Sequence, residues 1–301
     1  MKIAIILNGV SRQKNSFYTT FLPKLSSRFK VDVFETQSKH DAVTLADDAV
    51  KRQYDVILAA GGDGTVNQVV NGILSDREYI GSLPVVGIIP IGSGNDFARS
   101  LRIQNKAEQL VNLLENFSPT KIDIGKVIYT KTHGKGGETY FVNVADIGMG
   151  PEVVKRVQND NHTFSPSISY YKSILLTFFM YRPVFVTGET KEWKWKGKTR
   201  SLAIANGKFY GHGLCVAPDS KPNDGIFSAF ICGDVSVFDF IRYSGKLKNE
   251  KKINHPEIHY RETNEIHLQS ENLCLIEADG ELLGQLPARI EMASAKLSFI
   301  Y

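Results

Sequence analysis

Two short glycine-rich runs carry residue types that handle phosphate. The first is Gly61-Gly62-Asp63-Gly64-Thr65, with Asn67 close behind. Glycines let the backbone approach a ligand closely and adopt conformations closed to other residues. A helix is predicted over Val66–Leu74. It would aim its free N–H groups and the positive end of its dipole at the loop, which makes a phosphate site. Thr65 supplies an N-cap or a hydroxyl donor. Asp63 would repel phosphate unless a cation stood between them, so a carboxylate here points to Mg2+. A tight strand-to-helix turn with a capping aspartate is the other reading of a bare GGDG. The second run, Gly92-Ser93-Gly94-Asn95-Asp96, again follows a strand and precedes a helix. Two such loops at neighbouring strand ends are hard to explain as coincident turns. Neither fits the GxxxxGK motif of P-loop NTPases, and neither fits the GxGxxG of dinucleotide sites.

The elements that must hold these loops alternate. Lys2–Leu7, Val31–Phe34, Tyr54–Ala60 and Val85–Ile89 read as strands, and Phe17–Phe29, Ala42–Lys51, Val66–Leu74 and Asp96–Leu101 as helices. Such alternation predicts a parallel sheet with helices on both faces. Ligands of such sheets bind beyond the carboxyl ends of the strands, where both glycine runs fall. After about Ile124 the rhythm changes to short strands separated by Asn206-Gly207, Asn223-Asp224-Gly225 and Asp279-Gly280. That is the pattern of an antiparallel sandwich or barrel. Helices are expected near Pro151–Val157, Ser167–Tyr181 and Val235–Tyr243. The chain therefore divides into an α/β domain and a mainly antiparallel β domain.

Composition narrows the classes. The formal net charge of +4 is too mild to choose between a membrane and a nucleic acid as partner. Cys215, Cys232 and Cys274 are odd in number and widely spaced, which argues against a zinc site or a disulfide framework and fits a cytoplasmic setting. The opening apolar run is too short for a signal peptide. The apolar run from Ile174 to Tyr181 falls well short of the ~20 residues of a membrane span.

The runs GGDGTVNQVVNGI and IPIGSGNDFARSL, followed by DGELL near the C-terminus, resemble the diacylglycerol kinase catalytic domain, in its stand-alone bacterial form. The resemblance covers nearly the whole chain and extends to sphingosine kinases. NAD kinases and phosphofructokinases share only GGDG. It implies an ATP-binding α/β domain over 1–125 plus about 287–301, and a β-sandwich lipid-substrate domain over 126–286, with the active site in the cleft between them. The implied reaction is transfer of the γ-phosphate of MgATP to a lipid hydroxyl, most simply that of diacylglycerol. A kinase of a soluble substrate such as NAD, or a non-catalytic nucleotide- or lipid-binding protein, are the alternatives.

By the same resemblance, Gly61, Gly62, Asp63, Gly64, Thr65 and Asn67 contact the ATP phosphates, as do Ser93, Gly94, Asn95 and Asp96. Thr36 lies near the nucleotide. Asp279 is the general base, with Glu281 of the same element on the nucleotide side. A positioned carboxylate suits that task, because a lipid hydroxyl is a poor nucleophile. Without the other motifs Asp279-Gly280 reads as a β-turn between strands. Asp123 joins Asp63 and Asp96 in a Mg2+–water network. A second, structural Mg2+ is expected on Asp224 and the carbonyls of Lys221 and Ile226, a loop that otherwise reads as an Asx-type turn. The first strand runs into Asn8-Gly9-Val10-Ser11-Arg12, which lacks the proline and glycine that the family places there, so a phosphate contact from it stays open. His212 reads as structural. Tyr170-Tyr171-Lys172, Phe178–Arg182 and Trp193-Lys194-Trp195-Lys196 interleave aromatics with cations, which suits transient contact with an anionic membrane face. Core helix and ordinary strand faces are the plainer reading. No nucleic acid is expected, and the family resemblance allows a homodimer.

Overall fold

The computed structural model describes residues 1–75, 82–131, 134–158 and 166–301. The chain forms two compact units, residues 1–122 with 295–301, and residues 123–294.

In the first unit, β1 (Lys2–Leu7), β2 (Lys30–Glu35), β3 (Val56–Gly61) and β4 (Val85–Pro90) are all parallel, in the order β2-β1-β3-β4. The last residues add a fifth strand, with Phe299 opposite Val86 and Ile300 opposite Gly87. Strands covered on both faces should be apolar throughout. β3 is buried at all six positions, and Ile3, Ala4, Ile5, Ile6 and Leu7 of β1 are each 0% exposed. One face packs on the short helices α1 (Lys14–Ser16) and α2 (Leu22–Ser26), the π-helical turn Phe17–Phe21 between them, and Ala107, Leu110 and Leu114 further along. Helices α3 (Asp41–Lys51) and α4 (Asp63–Ile73) pack on each other and on β1 and β3. The sheet order reverses between β1 and β3, so the crevice expected of such sheets lies at their carboxyl ends.

Two further short helices complete this unit, α5 (Asp96–Ser100) and α6 (Ala107–Asn116). The second unit begins within β5 (Thr120–Thr130), which pairs with β6 (Gly136–Phe141). The strands β7 (Val144–Gly148), β8 (Val184–Glu189), β9 (Lys194–Thr199), β10 (Ser201–Ala205), β11 (Phe209–Tyr210), β12 (Leu214–Cys215), β13 (Phe227–Cys232), β14 (Ile258–Thr263), β15 (Glu265–Ser270), β16 (Leu275–Ala278) and β17 (Glu281–Ile300) follow, with helices α7 (Met149–Gln158), α8 (Pro166–Met180) and α9 (Val237–Lys248). Antiparallel pairing runs β14-β13-β10-β7-β16-β17, and β17 also pairs with β15, then β8 and β9. Strand alternation explains the layers. Leu202 and Ile204 of β10 face the core between strands, with Val186, Ile266 and Ile290. Ala203 and Ala205 face the other way, onto Ile174 and Phe178 of α8 and Phe240 and Leu247 of α9.

One boundary differs from the sequence expectation. Residues 287–294 belong to the second unit, because Ala288–Glu291 pair with β15; only the last seven residues return to the first sheet. All three cysteines are buried and unpaired. No helix among the described residues is long and apolar enough to cross a membrane.

Close packing of α3 on α4 fixes the helix that follows β3. A Cβ at Gly72 of α4 would stand 2.3 Å from the Val43 carbonyl oxygen of α3. Over-packing costs about 1–3 kcal/mol, more than the ~1 kcal/mol that alanine gains over glycine in a helix. Gly72→Ala should therefore lower the urea midpoint of unfolding with an unchanged m-value.

Candidate active site

Four loops meet at the carboxyl edge of the first unit's sheet, and backbone contacts stitch them together. After β1, the Asn8 N–H donates to the Ala60 carbonyl. The Gly9 N–H donates to Thr36 Oγ1, 3.0 Å away at the end of β2. Ser11 Oγ donates to the Ile91 carbonyl beyond β4 at 2.7 Å. The two glycine loops touch directly. A Cβ on Gly92 would lie 2.2 Å from the Gly62 Cα and 2.6 Å from its nitrogen. A Cβ on Gly61 would lie 2.2 Å from Thr65 Oγ1. Side chains at these positions would push the loops apart.

Asp63 fastens the contact. Its Oδ2 accepts the Asp96 N–H at 3.1 Å and its Oδ1 accepts the Phe97 N–H at 2.9 Å, so it caps α5 from the neighbouring loop. Asn95 holds a left-handed conformation (φ 55°). Its side chain accepts the Gly92 N–H at 3.1 Å and donates to the Gly92 and Pro90 carbonyls. Asp96 is 4% exposed, with Arg99 Nη1 3.5 Å from its Oδ1. Gly62 is the N-cap of the eleven-residue α4, whose first turn carries Gly64 and Thr65. Thr65 and Asn67 are buried, Gly94 is half-buried and Ser93 is exposed. The edge thus offers hydroxyls and a helix N-terminus to an anion.

In the second unit, Ala278-Asp279-Gly280-Glu281 closes a two-residue hairpin between β16 and β17. Asp279 and Gly280 have φ 49° and 85°, the signs of a type I′ turn. Asp279 is 6% exposed. Its Oδ2 accepts the Val142 N–H, and its Oδ1 accepts those of Asn143 and Val144, all at 2.9–3.0 Å. Three amides hold one carboxylate in one orientation. The fully buried Asn206 extends the scaffold, since its Nδ2 donates to the carbonyls of Val142 and Asp123. Glu281 is half-buried at the start of β17.

Asp123 is fully buried, and its Oδ2 accepts the Gly225 N–H at 2.6 Å while its own N–H donates to the Pro222 carbonyl. It therefore anchors the loop carrying Lys221, Asp224 and Ile226, a tie the sequence grouping with Asp63 and Asp96 did not contain. That loop is largely exposed, and Asp224 Oδ1 accepts the Ile226 N–H at 3.1 Å in an Asx turn. Among the described residues, no three His, Cys, Asp or Glu side chains are placed to share a metal.

Two family descriptions match most of the chain. Residues 2–127 match the diacylglycerol kinase catalytic domain, and residues 144–301 match the YegS C-terminal NAD kinase beta sandwich-like domain. The chain belongs to the diacylglycerol kinase family. The Bacillus subtilis (strain 168) diacylglycerol kinase is 29% identical over 289 residues, which is 94% of this chain and 90% of that one. The Staphylococcus haemolyticus enzyme of the same name is 28% identical over 260 residues, 86% and 75% of the two chains. A crystal structure of a diacylglycerol kinase from Bacillus anthracis str. Sterne shares the fold, with a TM-score of 0.72 at 19% identity over 100% of this chain and 96% of that one. The protein is a lipid kinase that uses ATP.

Several side chains of this kinase lie otherwise than the sequence suggests. Trp193 and Trp195 are partly buried against the strand core, and their indoles donate to the Glu262 carbonyl and Thr199 Oγ1. Tyr170 stacks on His212 with ring centroids 4.4 Å apart. Of the three basic-aromatic stretches, only Phe178–Arg182 exposes large apolar side chains, Phe179 (74%) and Met180 (67%). Phe238 (84%) and Ile241 (51%) of α9 are exposed too; they carry no motif, so sequence reading passed over them. It also passed over Asp146, fully buried on β7. Burial raises its carboxyl to about 7, against hydrogen bonds from Ser201 and Tyr210 that favour the charged form.

Two predictions follow from this geometry. Gly92→Ala should raise the dissociation constant for ATP at least about tenfold by separating the loops, read by titration calorimetry, and should lower the thermal midpoint as well. Asp146 is held protonated in the folded chain at a pH where the unfolded chain has lost that proton. Its contribution is full below about pH 4 and is lost as pH rises through about 7. Between pH 5 and pH 8 the wild-type melting temperature should thus fall more steeply than that of Asp146→Asn.

Proposed function

We propose that this kinase transfers the γ-phosphoryl group of MgATP to the free hydroxyl of diacylglycerol, giving phosphatidic acid. The observation that carries the reading is the contact of two glycine loops at a sheet edge in a chain that also fixes a hairpin carboxylate by three amides. The loops suit the nucleotide phosphates, with Thr65 and Ser93 as hydroxyl donors and the α4 N-terminus as the electrostatic partner. Asp279 is the group that takes the acceptor's proton as the phosphoryl group moves. Both its oxygens already accept hydrogen bonds, which sets the direction of the remaining lone pairs.

Mg2+ suits the oxygen donors present. Asp63 and Asp96 would bind it through water beside the phosphates. Asp224 and the carbonyls of Lys221 and Ile226, on an exposed loop, would hold a second, structural ion. The ion beside Asp63 and Asp96 would neutralise phosphate charge.

The second unit offers a place for the apolar part of the acceptor. A cavity of ≈ 90 Å³ lies among Val153, Ile174, Phe178, Phe230, Phe240 and Leu247. Helices α8 and α9 line it on the inside and expose Phe179, Met180, Phe238 and Ile241 on the outside. With Lys172, Arg182 and Arg242 nearby in sequence, these side chains suit a transient visit to the anionic inner face of the membrane.

An acceptor panel tests the proposal. ATP turnover should appear with diacylglycerol, and more strongly in anionic than in neutral vesicles. Turnover with NAD instead, or with no acceptor offered, would overturn it. Asp279→Asn should keep ATP binding and lose about 10²–10⁴-fold in turnover. The amide will also face at least one backbone N–H in the Asp279 cradle, so its melting curve is the control.

A further inference from the structure

The turn that carries Asp279 is backed by a second carboxyl group that the reaction as described does not use. Glu277 lies two residues before Asp279 on β16 and is 0% exposed. Across the sheet it sits opposite Asp146 of β7, also 0% exposed. Residues directly opposite on antiparallel strands project to the same face and touch. Two fully buried acidic side chains therefore face each other across the strands.

Their partners show what each does. Asp146 accepts from Ser201 Oγ at 2.8 Å and from the Tyr210 hydroxyl at 3.2 Å. Glu277 accepts the Gly280 N–H through Oε2 at 2.8 Å, which closes the hairpin from within. Its Oε1 has no partner in hydrogen-bond geometry, though the Tyr210 hydroxyl interacts with the carboxyl group. Tyr210 thus stands beside both acids. A register shift between Ile276 and Glu277 marks a β-bulge, a device that re-aims side chains beside active sites.

We infer that Glu277, backed by Asp146 and Tyr210, is a positioning residue for the phosphoryl-transfer reaction, holding the Asp279 turn in place through the Gly280 N–H. The inference rests on the reading of Asp279 as the base. Two buried carboxylates cannot both stay charged side by side, and the protonated acid gives the lone Oε1 a donor role toward Asp146 or Tyr210. The interactions that dominate Glu277 are burial, Asp146, Gly280, Asp279 and Tyr210, none of them a cation. Around Asp146 and Tyr210 the other titratable groups are Tyr170, Tyr181, Cys232 and Cys274, with Arg200 at the wall of the adjoining cavity. Burial first, and then Asp146, raise the Glu277 carboxyl well above its ordinary range. It acts as a neutral acid.

A pair of variants tests this. Glu277→Leu removes the acceptor for the Gly280 N–H and should lower kcat about 10²-fold, the scale of a small misplacement of a catalytic group, with the KM for ATP unchanged. Glu277→Gln stays neutral and still accepts that N–H, so it should recover most of the lost turnover. Native turnover in a folded Glu277→Leu chain, equal losses in both variants, or a loss carried by the KM for ATP would each overturn the inference. Should Glu277→Leu fail to fold, Tyr210→Phe decides: a lower kcat with a displaced pH–rate profile supports the positioning role, and an unchanged rate and profile refutes it. If Asp279→Asn keeps full turnover, the base reading fails on its own, whatever the Glu277 variants do.

Discussion

The first unit depends on one contact, the backbone of Gly62 against the backbone of Gly92. Their strands, β3 and β4, are neighbours in a parallel sheet, so their following loops must either touch or diverge. They touch because neither position has a side chain, and Asp63 then ties them by reaching across to two amides of α5. Hydrogen bonds to a charged acceptor contribute about 1.5–3 kcal/mol each, enough to offset the cost of Asn95 in a left-handed conformation. The loops after β1 and β2 are drawn to the same edge by the Gly9, Thr36 and Ser11 contacts. The edge proposed for phosphate is thus held by contacts within the chain itself, which would reduce the ordering cost of binding.

The second unit follows the same logic with a carboxylate as the fixed point. A type I′ turn is short and stiff, and three amides from Val142 to Val144 hold the Asp279 side chain against β7. Asn206 then connects that amide run to Asp123, and Asp123 to the 222–225 loop. Three polar side chains far apart in sequence, Asp279, Asn206 and Asp123, form one hydrogen-bonded frame in a largely apolar sandwich. A partly satisfied polar frame in such a place is costly, so each member constrains the next.

The legible part of this molecule was local. The glycine runs, the strand-helix alternation and the Asp-Gly turn each declare themselves within a few residues, because backbone conformation and burial periodicity are short-range properties. Partners across the sheet are not. Nothing in the sequence around Asp63 says that its oxygens cap a helix 33 residues later. The tie from Asp123 to the Gly225 N–H, about a hundred residues on, is equally absent from the local sequence. The facing of Glu277 on Asp146 depends on the register of β16 against β7, which pairs residues about 130 positions apart. The composition around Trp193 and Trp195 suits an interface, and only the fold shows both partly buried against the strand core.

The placement of the final seven residues in the first sheet sets the order in which this chain can mature on the ribosome. Until Phe299 and Ile300 emerge, β4 is a bare edge and Phe97 lacks the ring that packs on it at 5.8 Å between centroids. The first unit, though most of it is synthesised early, is completed only when these residues emerge. An exposed parallel edge is a template for wrong pairing, so the nascent protein is most vulnerable during the interval in which the intervening sandwich is being made.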